Sequence, residues 1–174
     1  SHAKAVNFGI IYGISDFGLS RDLGITRQEA KNYIELYFSR YPKVKEYMDN
    51  MVKEAHETGK VRTMFGRMRE LPDINSRNFN RRSFAERTAM NTPIQGTAAD
   101  IIKLAMNKVE SILEEKKFKS RLLLQVHDEL VLEVVNDELD AIQTLLKETM
   151  ESIVELHVPL IVDVHNAENW ALVK

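Results

Sequence analysis

Residues 122–135 of this chain read Leu-Leu-Leu-Gln-Val-His-Asp-Glu-Leu-Val-Leu-Glu-Val-Val. Two apolar runs, 122–126 and 130–135, stand on either side of His127-Asp128-Glu129. Short apolar runs that contain β-branched residues and are separated by a few polar ones are typical of a β-hairpin. The sequence therefore predicts a small antiparallel sheet near its C-terminal end, with charged groups at the tip of the hairpin.

Helical signals dominate the first third of the chain. Gly13 and Gly59 stand where helices are expected to end, because glycine is the preferred residue after a helix. Ser15 can cap a helix, and Thr26-Arg27-Gln28-Glu29 has the pattern of a capping box. We therefore predict four helices, over residues 3–13, 15–23, 26–41 and 42–58.

The rest of the chain contains four further predicted elements. Residues 60–72 carry alternating basic residues around Gly66-Arg67, which predicts a second hairpin. Residues 81–116 form a long helical stretch that we expect Pro93 to interrupt, because proline has no N–H and clashes with the preceding turn. An amphipathic helix is predicted over 137–156 and a strand over 160–164. The predicted fold class is α+β, mostly helical with a small antiparallel sheet.

Composition excludes several classes of protein. The chain has 174 residues, of which 44% are hydrophobic and 29% charged, and it has no cysteine. Disulfides, thiol catalysis and cysteine-bound zinc are therefore excluded. No apolar run approaches the roughly 18 to 20 residues of a membrane-spanning helix, and the pattern of a signal peptide is absent. We expect a soluble, cytoplasmic protein without a membrane partner.

The formal net charge of -2 hides a gradient along the chain. Residues 1–99 carry 16 Lys+Arg and 11 Asp+Glu, whereas residues 100–174 carry 8 and 15. A basic first part suits contact with a polyanion, and an acidic second part suits cations. Residues 60–87 alone hold eight Lys+Arg and three acids, which predicts a track for a phosphate backbone. Two differently solvated surfaces are the alternative interpretation.

Three polar or aromatic groups stand out as candidate functional residues. Lys4, Phe8 and Tyr12 are spaced to lie on one face of a helix, where the cation suits phosphates and the rings suit a base. The alternative is that both rings belong to the core. The second group, Arg87, Asn91 and Gln95, has the same spacing.

Long hydrogen-bonding side chains in such a row suit the minor groove of a duplex, where the acceptor atoms are similar for all base pairs. A solvated helix face is the alternative for Arg87, Asn91 and Gln95. Pro93 favours the functional interpretation, since an exposed face gains nothing from a bend.

The third group is His127-Asp128-Glu129. Adjacent carboxylates suit a hard divalent cation such as magnesium. Adjacent strand residues point to opposite faces, so we expect Asp128 to bind the metal and Glu129 to be peripheral. An ordinary acidic turn is the alternative, and His127 could contact a nucleic acid or be structural. A site for two metals needs a carboxylate from another segment, and the sequence offers no convincing candidate.

The three groups together resemble one family. Lys4-x3-Phe8-Gly9-x2-Tyr12-Gly13, the segment Asn91-x-Pro93-x-Gln95-Gly96-Thr97-Ala98-Ala99-Asp100 and Gln125-Val126-His127-Asp128-Glu129 closely resemble the C-terminal portion of family A DNA polymerases, of the bacterial polymerase I type. The resemblance covers essentially the whole chain in order. It implies a fingers-like helical region with a basic hairpin over residues 1–80. It also implies part of a palm, with the metal-site hairpin, over residues 81–174.

The resemblance also implies a role for each candidate. Lys4 is expected to touch the triphosphate of the incoming deoxynucleotide and to be a catalytic residue. Phe8 is expected to touch the sugar and base, and Tyr12 the position of the template base. Asp128 is expected to be the catalytic, metal-binding aspartate, and Glu129 the neighbouring catalytic acid. The expected contacts to primer-template DNA are Arg87, Asn91, Gln95 and His127.

The implied activity is that of a DNA-directed DNA polymerase in DNA replication and repair. A primer 3'-hydroxyl attacks the α-phosphorus of a deoxynucleoside triphosphate, and two Mg²⁺ ions assist. The family's second metal-binding aspartate has no match here, nor has the arginine that stands four residues before the lysine. We therefore expect a fragment that lacks an N-terminal part and is inactive alone. Phe8 also implies discrimination against dideoxynucleotides, which tyrosine would relax.

Three alternatives remain open from the residues themselves. A single-subunit RNA polymerase fragment shares the lysine and tyrosine, although Phe8 and Glu129 favour the DNA enzyme. A non-catalytic nucleic-acid-binding module would keep the fold without the second metal-binding carboxylate. A helical scaffold would have no nucleic acid partner.

Overall fold

The structure is a computed structural model that describes the backbone of residues 2–173 and the side chains of residues 6–173. The chain forms two compact units, Ser1–Thr97 and Ala98–Lys174. Each unit has its own hydrophobic core. The predicted boundary between a fingers-like and a palm-like region at residue 80 stays a prediction.

The first unit begins with the four predicted helices, and their capping signals work as expected. The helices are α1 (His2–Ile11), α2 (Asp16–Leu23), α3 (Arg27–Arg40) and α4 (Pro42–Thr58). Ser15 Oγ accepts a hydrogen bond from Gly18 N at 3.1 Å. Thr26 Oγ1 accepts from Glu29 N, and the Glu29 carboxylate accepts from Thr26 N, so the capping box is complete. Gly59 ends α4 with a left-handed φ of 72°, which costs glycine little because it has no Cβ.

The predicted basic hairpin follows α4. It consists of β1 (Lys60–Arg62) and β2 (Met68–Glu70), which pair antiparallel. The hairpin is packed against the long helix α5 (Phe79–Glu115) through a small apolar core. The members of this core are small or branched residues from α4, the hairpin, the following loop and α5, namely Ala55, Val61, Leu71, Ile74, Ala85 and Ala89.

The predicted interruption of the long helix at Pro93 is wrong. Helix α5 runs without a break from Phe79 to Glu115, with Pro93 inside it. A proline in a helix interior costs about 3 kcal/mol, because one backbone hydrogen bond is lost and the ring crowds the preceding turn. Thr97 Oγ1 donates to the Pro93 carbonyl one turn back. Side-chain and tertiary contacts at this turn therefore hold a helix that the sequence pattern alone would break.

The second unit contains the predicted C-terminal hairpin. Strands β3 (Arg121–Val126) and β4 (Glu129–Glu133) pair antiparallel, with an irregularity between Leu122 and Leu124. Helix α6 (Leu139–Glu151) follows a short 3-10 turn and packs against the end of α5. The buried residues of this second core are apolar side chains of α5 and α6, namely Val109, Leu113, Ile142, Leu145 and Leu146.

Two predictions for the C-terminal region are wrong in their extent or type. The helix predicted over 137–156 covers only Leu139–Glu151, and Ser152 Oγ donates to the Glu148 carbonyl where it ends. The strand predicted over 160–164 does not form in the described part of the chain. A strand needs a neighbouring strand to pair with its backbone. Here, Val162 N donates instead to the Glu151 carboxylate at 3.0 Å.

The predicted fold class is confirmed, since helices dominate and the described strands form two two-stranded antiparallel sheets. Over residues 2–173, no helix combines the length and the apolar character needed to cross a membrane.

Glu138 fastens the base of the β3–β4 hairpin. Its carboxylate accepts hydrogen bonds from Lys119 N at 3.0 Å, Ser120 N at 2.9 Å and Ser120 Oγ at 2.6 Å. Ser120 Oγ in turn accepts from Val135 N at 3.0 Å, beyond the end of β4. The hydrogen bond from Lys119 N, followed by that from the Ser120 hydroxyl, lowers the pKa of Glu138 below its ordinary value of 4.5.

We predict that Glu138→Gln destabilises the chain at neutral pH and has no effect in acid. The folded state lowers the pKa of Glu138, so its stabilisation is fully present above the ordinary pKa of 4.5 and is lost as the pH falls through the folded value. Thermal unfolding midpoints of both proteins between pH 7 and pH 3 test this. Asp137→Asn is the control, because the exposed Asp137 side chain makes no hydrogen bond or ion pair in the described structure. A difference between wild type and Glu138→Gln that does not change with pH would contradict the prediction.

Candidate functional site

The two aromatic rings of the first candidate group lie on the surface of α1. Phe8 and Tyr12 stack with ring centroids 6.1 Å apart and ring planes inclined by 27°. Their exposed fractions are 46% and 37%, whereas Ile10 on the same helix is buried. The alternative that both rings belong to the core is therefore wrong. A stacked aromatic pair open to solvent offers a flat apolar surface to a base or sugar.

Lys4 precedes the two rings in α1, but its side chain lies outside the described residues. The other end of α1 packs on α5. Gly13 has a left-handed φ of 74°, and a Cβ placed there would clash with Met90 Cε and lie 3.3 Å from Arg87 Cγ. The close approach therefore requires glycine at this position. This contact brings the C-terminal end of α1 against α5 beside Arg87.

The second candidate group lies along α5. Arg87 is exposed and its Nη1 donates to Ser83 Oγ at 2.9 Å, and Gln95 is exposed as well. Asn91 is half-buried, and its Oδ1 is buried without a hydrogen-bond partner among the described residues. A buried polar atom without a partner costs free energy, so a donor from a bound molecule would stabilise this amide.

The hairpin β1–β2, including the loop between its strands, makes three hydrogen bonds to the turn of α5 around Pro93, residues 92–97. Arg69 Nη1 donates to Thr92 Oγ1 at 3.2 Å, Arg67 Nη2 donates to the Gly96 carbonyl at 2.9 Å, and Met64 N donates to Thr97 Oγ1 at 2.9 Å.

Sequence reasoning missed these hairpin contacts, because it assigned the arginines to a phosphate track. Gly96 was the available signal, since a glycine inside a helix often marks a close approach of another segment. A Cβ at Gly96 would lie 2.6 Å from Thr63 Cγ2.

The third candidate group forms the exposed tip of the β3–β4 hairpin. His127 has a left-handed φ of 54°, and its carbonyl accepts a hydrogen bond from Gln125 Nε2. Asp128 lies in the turn and Glu129 is the first residue of β4, opposite Val126. The argument that Asp128 and Glu129 alternate as strand residues is therefore wrong, because only Glu129 is in a strand. The turn itself sets the direction of the Asp128 side chain.

The tip contains oxygen atoms that could be some of the ligands of a metal ion. The carboxylates of Asp128 and Glu129 are exposed and make no hydrogen bond or ion pair within the described residues. Such oxygens fit a hard divalent cation. Within residues 2–173, no three histidine, aspartate or glutamate side chains come together as a metal-binding group. The tip alone therefore supplies an acidic pair and not a complete set of ligands.

The three candidate groups fall in different parts of the chain. Phe8, Tyr12, Arg87, Asn91 and Gln95 belong to the first compact unit, where the end of α1 contacts α5. The hairpin tip belongs to the second unit. Each unit thus presents its own exposed candidate residues.

The chain belongs to DNA polymerase family A, whose sequence profile matches residues 1–172. Two similar curated relatives carry the name DNA polymerase I. The protein from Lactococcus lactis subsp. lactis is 61% identical over 169 residues, and that from Geobacillus stearothermophilus is 60% identical over 168. Both alignments cover 97% of this chain but only 19% of the relative. The chain therefore spans about a fifth of the length of these relatives.

A solved structure shares the fold. It is the POL domain of Pol1 from M. smegmatis, described in complex with DNA primer-template and dNTP. The TM-score is 0.88 at 43% sequence identity, and the match covers 91% of this chain and 28% of the mycobacterial one. The expected resemblance to bacterial family A polymerases is thus confirmed.

We predict that Gly96→Ala destabilises the chain through Thr63. The new methyl group would clash with Thr63 Cγ2. Thr63 is buried, and its β-branched side chain has little freedom to move away. Overpacking of this kind costs about 1 to 3 kcal/mol in free energy of unfolding. Thr63→Ser removes Cγ2 and keeps the hydroxyl that accepts from Arg67 N.

In the Thr63→Ser background, Gly96→Ala is expected to be stabilising by up to about 1 kcal/mol, because alanine favours a helix over glycine. Urea unfolding of the four proteins measures both values. The same loss in both backgrounds would show that Thr63 is not the obstacle.

Proposed function

We propose that this chain is the fingers region and part of the palm of a DNA-directed DNA polymerase, which acts in DNA replication and repair. The observation that carries the proposal is the family match over residues 1–172, a range that contains all three candidate groups. The longer polymerase transfers a deoxynucleotide to the 3'-hydroxyl of a primer, as its template directs. The short span relative to the curated relatives supports an N-terminal part of the same polymerase as a partner of this chain.

Helix α1 is proposed to bind the incoming deoxynucleoside triphosphate. Its two exposed rings stack on each other and offer a flat apolar surface on which a base or sugar can pack. Phe8 takes the sugar and base, and Tyr12 lies at the position of the template base. Lys4 is one helical turn before Phe8 in α1 and meets the triphosphate as a point charge.

The face of α5 is proposed to contact the primer-template duplex in its minor groove. Arg87 and Gln95 are exposed, and the half-buried Asn91 has a carbonyl oxygen without a partner. Minor-groove acceptors are similar for all base pairs, so these contacts read the shape of a correct pair and not its sequence. His127 at the hairpin tip is proposed to lie near the primer terminus.

The hairpin tip is proposed to supply part of a magnesium site. Asp128 is the direct ligand, and Glu129 is the second acid of the same tip. When bound, two Mg²⁺ ions activate the 3'-hydroxyl and stabilise the pyrophosphate leaving group. Because the described residues bring no further carboxylates to this tip, the second aspartate is proposed to come from the rest of the polymerase. The chain alone is therefore proposed to be inactive, and the polymerase to be cytoplasmic.

We predict that Asp128→Asn in the complete polymerase lowers kcat by roughly a thousandfold, because a metal ligand contributes several kcal/mol to the stabilisation of the transition state. Primer extension with Mg²⁺ measures kcat, and a gel-shift assay measures DNA binding, which is expected to persist. Asp137→Asn removes an exposed carboxylate at the base of the same hairpin and serves as the control. Unchanged extension by Asp128→Asn would favour the non-catalytic binding module.

We predict that Phe8→Tyr increases the incorporation of dideoxynucleotides by the complete polymerase. The added hydroxyl would lie on the exposed face of α1 and could replace the 3'-hydroxyl that a dideoxynucleotide lacks. Competition between deoxy- and dideoxynucleotides in primer extension gives the ratio of the two incorporation rates. Tyr12→Phe, which removes a hydroxyl from the neighbouring ring, tests whether the effect is specific to Phe8. An unchanged ratio for Phe8→Tyr would overturn the proposed role of Phe8.

A further inference from the structure

Two arginines of the basic hairpin are exposed, and both donate hydrogen bonds to helix α5. Arg69 Nη1 donates to Thr92 Oγ1, and Arg67 Nη2 donates to the Gly96 carbonyl. Thr92 is only 9% exposed, so the hydrogen bond between Arg69 and Thr92 is partly buried. These bonds use donor groups that the charge pattern alone would assign to a phosphate backbone.

The anchored positions alternate with the proposed DNA contacts along α5. Thr92 and Gly96 are four residues apart and lie on one side of the helix. Asn91 and Gln95 each come one residue earlier and lie about 100° around the axis. Each proposed contact of this turn thus adjoins a residue that the hairpin holds.

Pro93 explains why this turn needs an external support. A proline removes one hydrogen bond of the helix and crowds the preceding turn. The hairpin bonds lie at Thr92, directly before the proline, and at Gly96 and Thr97, one turn after it. The hairpin therefore stabilises this turn of α5 both before and after Pro93.

We propose that Arg67 and Arg69 are positioning residues that set the direction of Asn91 and Gln95 toward the primer-template duplex. This inference rests on the proposed polymerase function. It assigns the two arginines to the alignment of α5 and not to direct binding of phosphates. A small displacement of aligned groups can lower a rate by up to roughly a hundredfold, so loss of the anchors is expected to reduce kcat/KM for the primer-template.

Direct phosphate binding makes a different prediction that salt can separate. Each phosphate contact contributes about 0.9 to the slope of log K against log salt concentration. Arg69→Gln would then reduce the magnitude of that slope by about 0.9, the contribution of one phosphate contact. Thr92→Val, which changes no charge, would leave the slope unchanged. Under the positioning role, both substitutions remove the same hydrogen bond and act alike.

The experiment uses the complete polymerase with five variants, namely Arg69→Gln, Thr92→Val, the Arg69→Gln and Thr92→Val double variant, Thr92→Ser and Arg77→Gln. Primer extension at several salt concentrations gives kcat and KM, and binding titrations give the salt slope. Arg77 is exposed, and its side chain makes no hydrogen bond or ion pair in the described structure, so Arg77→Gln reports the effect of losing one charge from the same stretch. Thr92→Ser keeps the hydroxyl.

The expected result is a similar loss of about tenfold in kcat/KM for Arg69→Gln and Thr92→Val, with no further loss in the double variant. Thr92→Ser is expected to stay within twofold of wild type, and the salt slope of Arg69→Gln to equal that of wild type. A reduced slope for Arg69→Gln together with normal activity of Thr92→Val would overturn the proposal. Absence of extension by the wild-type polymerase would instead contradict the proposed function, and so the two failures are distinguishable.

Discussion

Helix α5 is the element on which both halves of the chain depend, because it supplies buried residues to two separate cores. Ala85 and Ala89 pack in the first core, and Val109 and Leu113 pack in the second. The helix can do so only if it stays helical through Pro93, where its own hydrogen bonding is weakest. The hairpin β1–β2, bonded to α5 on both sides of the proline, provides the constraint that keeps this turn in place. The same turn presents Asn91 and Gln95.

The aromatic pair of α1 and the carboxylates of the hairpin tip share one physical property, which is that the fold leaves them uncovered. Phe8 and Tyr12 are stacked in solvent, and Asp128 and Glu129 stand at an exposed turn. Exposed rings forgo the stabilisation that burial would provide, and adjacent carboxylates without a partner repel each other. A nucleotide can cover the rings, and a cation can offset the repulsion.

Much of the secondary structure follows from short stretches of sequence. The capping residues Ser15 and Thr26 and the terminal glycine Gly59 work through bonds to residues within one turn, so they act in the same way in any context. The first hairpin follows from alternating basic residues around Gly66-Arg67, and the second from two short apolar runs around a polar turn. The errors occurred where distant residues decide. Pro93 stays helical because the hairpin and Thr97 support its turn, and residues 160–164 form no strand because no neighbouring strand pairs with them.

The sequence by itself determined the helices with their caps, the two hairpins, the fold class and the family, because these depend on local bonding and on motifs read in order along the chain. It also identified the candidate residues by type and spacing. Only the tertiary structure decided which faces are covered. It placed the Phe8 and Tyr12 rings in solvent, brought Gly13 against Met90, and joined the exposed Arg67 and Arg69 to α5 by hydrogen bonds. The physical reason is that exposure and long-range hydrogen bonds depend on how elements pack, and residues far apart in sequence set that packing.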